Sequence, residues 1–153
     1  MSDSTIEEWI QNWIEELTKP SSENNNVPLC PFAKKAWQEK EAKVVRSKDM
    51  WDSVTKEANS FGSHRIVMCV DENPEYEYSE LEAGCMALNY WFANTGKDIW
   101  LLSYQTDRAI VFIQTLSGLD DASVILEKQG YYENYSEDDF KRLVEHRRKL
   151  RRL

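Results

Sequence analysis

The stretch "HRIVMCVD", residues 64–71, decides the fold. Its apolar residues run almost without interruption instead of alternating with polar ones. That is the pattern expected of a strand covered on both faces. Upstream, residues 48–61 place Trp51, Val54, Thr55, Ala58 and Phe61 at helical spacing, with Gly62 as the stop. Before that, "KVVRS" (43–47) is a short strand. Helices separate the first three strand candidates (43–47, 64–71 and 98–104), which predicts right-handed crossovers and parallel pairing among them. The closing hairpin adds an antiparallel strand.

Downstream the pattern continues. A helix is expected from Ser79 to Asn94, opened by a Ser79–Glu82 capping box and stopped by Gly96. "DIWLLSY" (98–104) and "AIVFIQTL" (109–116), separated by "QTDR", form a hairpin. A helix from Asp120 to Gln129 follows, then a last one opened by Ser136 with Phe140, Leu143, Val144 and Leu150 on its apolar side. At the other end, Ile6, Trp9, Ile10, Trp13, Ile14 and Leu17 trace one face of a first helix, with Ser4 and Glu7 as its capping box. Residues 19–28 are a polar loop, and Pro31 opens a short helix reaching Lys40.

The expected fold is a single α/β domain over 1–153: two layers, with a mixed four-stranded sheet and flanking helices. A ferredoxin-like relative is one form of it. At 153 residues the chain buries one sizeable core. The N-terminus has no basic region followed by an apolar one, and no apolar run is long enough to span a bilayer. Membrane insertion is therefore not expected. Three cysteines make no disulfide framework, which points to a reducing, cytoplasmic compartment.

The formal charge of −8 argues against general binding to nucleic acid, because a negative field repels polyanions. The exception is the C-terminal helix (136–153). Residues 140–153 hold seven Lys or Arg against one Glu. Two readings stand side by side. Arg147, Arg148, Arg151 and Arg152 form a basic arm that engages a partner, most simply a protein, or they pair with the acidic body.

"DENPEYEYSELE" (71–82) carries six carboxylates, with Asp71 and Glu72 at a strand end, where α/β folds place ligands. Oxygen clusters suit Mg²⁺ or Ca²⁺, but the spacing is no EF-hand. A solvated turn at a helix N-terminus is the favoured reading, and no metal or cofactor is assigned. No GxGxxG, P-loop, HExxH or GxSxG occurs, so nucleotide enzymes, zincins and α/β-hydrolases lack local support. The aromatics of "NYWFAN" and "IWLLSY" lack the basic and glycine residues of an RNA-binding sheet.

The remaining feature is Cys30, directly before Pro31. If Pro31 is the first helical residue, Cys30 is the cap, a place where sulfur is a poor acceptor. There the helix dipole stabilises a thiolate, and Lys34 and Lys35 in the following turns add positive potential. The alternative is a packed apolar residue beside Leu29, Phe32 and Trp37. Cys69 and Cys85 read as core.

The segment Leu29, Cys30, Pro31, Phe32, Ala33 and Lys34, after an amphipathic helix with tryptophan, resembles an uncharacterised bacterial family marked by a Leu-Cys-Pro-Phe-Ala motif. "RAIVFIQTLSGLDDA" (108–122) is similar to that family's late strand and helix. "YQTDRA" stands where the family has an Asn-Arg-Ser-Pro segment, so this chain resembles a shortened, divergent member of the kind a phage or other mobile genome carries. The resemblance implies a fold and a focal cysteine, and no reaction. The expected function is a small binding or regulatory protein acting through its basic C-terminal helix. The alternative is a thiol-dependent enzyme or redox-responsive protein using Cys30.

Overall fold

The structure, a computed structural model, describes residues 3–17, 31–105, 107–130, 132–133 and 135–151. Its elements follow the expected order. They are α1 (Asp3–Leu17), α2 (Pro31–Gln38), β1 (Ala42–Arg46), α3 (Met50–Asn59), β2 (Ile66–Asp71), α4 (Tyr78–Asn94), β3 (Trp100–Gln105), β4 (Ala109–Gln114) and α5 (Leu116–Lys128). The last helical stretch comprises α6 (Glu137–Phe140), a π-helical turn (Lys141–Glu145) and α7 (His146–Arg151). The expected mixed four-stranded sheet is present, in the order β1-β2-β4-β3.

β1 and β2 pair in parallel, as the β1-α3-β2 crossover requires, while β4 is antiparallel to both β2 and β3. The hairpin inserts β4 between β2 and β3, leaving β1 and β3 as edges. The parallel pairing expected of β2 with β3 therefore does not form, because β3 reaches the sheet through its antiparallel partner β4. The β-α-β-α-β-β series is not the β-α-β-β-α-β series of a ferredoxin-like fold.

All six residues of β2 are buried, which is why its sequence does not alternate. Ile66, Met68 and Val70 face Ile6, Ile10, Trp13 and Ile14 of α1 and Ala36 of α2. Val67 and Cys69 face Met50, Val54 and Ala58 of α3 and Leu81, Cys85 and Phe92 of α4. Helices therefore flank the sheet on both sides, so the expected two layers become three. Each such large apolar side chain contributes about 1.5–3 kcal/mol on burial. A third cluster, Trp100, Leu116, Leu119 and Leu150, seats α5 and α7 beside β3.

Two helix starts differ from expectation. α4 begins at Tyr78, and its N-cap Glu77 makes no side-chain cap bond. Glu82, expected in a capping box with Ser79, is held instead by Arg142 at 2.9 Å. α5 begins at Leu116, before the expected Asp120, because Thr115 caps it by accepting from the Gly118 N–H at 3.1 Å. Leu116 and Leu119, three apart, need helical spacing to reach Trp100 together. Ser136 does cap its helix, accepting from the Asp139 N–H. At Gly84 α4 packs directly on α3, since a Cβ there would lie 2.2 Å from the Trp51 ring.

Candidate functional site

The residues singled out by the sequence are dispersed. Cys30 and Arg152 lie outside the described residues. α2 does begin at Pro31, and Lys35 is exposed on it. Lys34 lies within the same helix. The other two thiols are buried among α3, α4 and the sheet. Burial pushes both up to about 12, with the Glu57 and Glu82 carboxylates adding to Cys69 and Cys85 respectively. A thiol that high is almost wholly protonated at neutral pH and reacts slowly, because the thiolate is the nucleophile. In native protein at pH 7, iodoacetamide should leave Cys69 and Cys85 unmodified until the fold opens. Residue-resolved mass spectrometry showing either alkylated without unfolding would refute the packing described.

The basic tail is turned inward. Arg147 is 5% exposed, with Nε 3.7 Å from Asp120 Oδ1. Arg148 lies 3.8 Å from the same carboxylate and 2.9 Å from Glu127. Arg151 reaches Asp120 at 3.0 Å and Asp121 at 2.8 Å. Of the two readings of the tail, pairing with the acidic body is the one this geometry draws. Three arginines meet three carboxylates of α5, and the helix they sit on is pinned as a structural element. Lys141 and Lys149 stay exposed, Lys141 beside Glu137 at 3.3 Å.

The carboxylate stretch also divides. Asp71 is buried and accepts from the Asn73 N–H at 3.0 Å and the Tyr76 hydroxyl at 3.2 Å. Burial, then the Asp71 charge, pushes the Tyr76 phenol up, so it stays a donor. Glu72 turns to the opposite face, 3.3 Å from Arg46 and 3.7 Å from Arg108. The Arg108 guanidinium lies over the Trp9 ring, 4.5 Å from its centroid. Among the described residues, no group of three or more His, Cys, Asp or Glu side chains is placed to hold a metal ion.

What sequence reading missed is a groove of about 620 Å³ beside β1. Its floor is Ala42 and Val44, and one wall is Ile6, Glu7 and Gln11 of α1. Trp37 and Gln38 of α2 close one side, with Lys40 and Arg46 among the lining residues. The two walls are tied together where Trp37 Nε1 donates to Gln11 Oε1. Lys40 ends α2 in the left-handed conformation, φ 59°. The Glu41 N–H closes back onto the Ala36 carbonyl at 2.9 Å, turning the chain into β1. The volume falls in the range of ligand sites, and the apolar floor with a few polar groups fits their usual chemistry.

The two edges of the sheet are treated differently. At β3 the Asn89 side chain acts as a substitute strand. Its Nδ2 donates to the Leu101 carbonyl at 3.0 Å, and its Oδ1 accepts from the Leu101 N–H at 2.7 Å. The Tyr78 hydroxyl donates to the Ser103 carbonyl at 3.4 Å. At β1 the bonds to β2 use the odd-numbered residues. The Glu41 carbonyl accepts from Arg65 and Ile66, and the Ser47 N–H donates to Val70 at 2.8 Å. Strand alternation then turns the N–H and C=O of Ala42 and Val44 away from β2, outward along the edge that borders the groove.

No family model, no curated protein and no solved structure matches the chain. The resemblance to the Leu-Cys-Pro-Phe-Ala family thus rests on residues 29–34 and 108–122 of the sequence alone. No helix among the described residues is long and apolar enough to cross a membrane.

Proposed function

We propose that this protein is a small binding protein that holds a partner polypeptide on its β1 side, and not through the basic C-terminal helix. The observation that carries this reading is the apolar-floored groove lying along an outward-facing strand edge. The tail is a weaker platform because Arg147, Arg148 and Arg151 already face Asp120, Asp121 and Glu127. A partner bound there would have to break those pairs first, at a cost that exposed ion pairs seldom repay.

The test is a selection of random peptides on the native protein, with two groove variants as controls. Val44→Glu places a charge on the floor, and Lys40→Gly removes a rim cation while suiting the left-handed turn. Enriched peptides should lose at least about tenfold in affinity for Val44→Glu, a change of about 1.4 kcal/mol. They should bind Lys149→Glu, on the tail, unchanged. Peptides that bind Val44→Glu normally and are lost on Lys149→Glu would reverse the assignment.

A further inference from the structure

Resting on that reading of the β1 side, we propose that the partner binds by strand addition, as an extended segment alternating apolar and acidic residues. It would become a fifth strand, outside β1. Three independent features converge on this occupant.

The first is the backbone. Ala42 and Val44 direct their donors and acceptors outward, and main-chain hydrogen bonding is what an extended segment offers such an edge. β2 and β4 are interior, and β3 is closed by Asn89 and Tyr78, so among the described residues β1 is the edge left for pairing. The second is side-chain parity. The same residues that turn their backbone outward, Ala42 and Val44, line the groove. Alternate side chains of an added strand would therefore enter it, with apolar ones on that floor.

The third is charge. Residues 40–48, "KEAKVVRSK", carry Lys40, Lys43, Arg46 and Lys48 against Glu41, a basic strip in a chain of net charge −8. Lys43 projects from the face opposite the groove, where it meets Glu57 at 3.0 Å. Arg46 is engaged by Glu72 at 3.3 Å. An added strand would thus meet Lys43, shared with Glu57, on its second face and Lys40 and Lys48 at its two ends, which selects acidic residues there. The same strip disfavours a second copy of this chain, because two β1 edges paired together would bring their lysines and arginines into register. Lysine-bearing edges are a known guard against self-pairing.

The probe is the capped peptide acetyl-Glu-Val-Glu-Val-Glu-Val-Glu-amide, titrated with backbone amide resonances observed. In the free protein, amide hydrogen exchange should be fast at Ala42 and Val44 and slow at Lys43 and Val45. On binding, Ala42 and Val44 should gain at least about tenfold in protection. N-methylating the peptide one residue at a time should cost at least about tenfold at alternate positions and less than about twofold between them. Affinity should fall as salt is raised.

Binding that Val44→Glu and Lys40→Gly both leave unchanged would overturn the docking side itself, and this proposal with it. Binding weakened by those variants but indifferent to N-methylation at every position would keep the groove and overturn strand addition. Absence of binding at millimolar peptide would overturn the proposal.

Discussion

Asp120→Ala is expected to destabilise the protein by roughly 3–5 kcal/mol, the usual result of leaving one member of a buried ion pair without its counter-charge. Asp120 is itself buried at the inner side of α5, and Arg147 faces it from α7 at 5% exposure. Truncating the carboxylate leaves the Arg147 guanidinium desolvated, while Arg148 and Arg151 keep Glu127 and Asp121. Urea unfolding followed by tryptophan fluorescence measures the loss. Removing both members with apolar replacements, Asp120→Leu with Arg147→Met, should recover most of it, because the cost lies in the uncompensated charge. A single variant within about 0.5 kcal/mol of wild type would mean that Arg147 is hydrated and the tail loosely held.

Asn89→Leu should cost about 2–4 kcal/mol, although leucine matches asparagine in size and suits the apolar surroundings. The loss comes from the backbone. On that side the Leu101 N–H and C=O bond to the Asn89 amide, and each buried backbone group left unpaired costs about 1–3 kcal/mol. Hydrogen exchange at Leu101 gives a local readout, expected to accelerate by more than the global loss of stability explains. A neutral substitution would mean that water reaches the β3 edge readily. The closed state of that edge, against which the β1 edge is contrasted, would then fail with it.

Much of the fold is legible in short stretches. Residues 66–71 lack polar interruptions because both faces of β2 are covered, and a local pattern records the faces a strand buries. The i, i+3 and i+4 recurrence of Ile6, Ile10, Trp13 and Ile14 marks the face of α1 that enters the core. Pro31 marks the start of α2 and Ser136 caps α6, since both act within one helical turn. The local pattern starts α5 four residues late, at Asp120 instead of Leu116. The apolar run through Leu116 continues the strand pattern, and only the distant Trp100 and Leu150 make Leu116 and Leu119 a helical pair.

The candidate site was scarcely legible. The arginine run announces a charge but not its counter-charge, and Asp120 lies 27 residues from Arg147 and 31 from Arg151. The groove draws its lining from α1, α2 and β1, segments with no shared local signature.

By itself the sequence determined the series of helices and strands, the parallel start of the sheet and the membership of its core, because periodicity and caps act over a few residues. Tertiary structure alone decided that β4 enters between β2 and β3, that the arginines of α7 close onto α5, and that, among the described residues, β3 is an edge sealed by Asn89 while β1 is not. Each of these depends on which distant segment comes to lie alongside, and an edge is defined by its neighbour, not by its own residues.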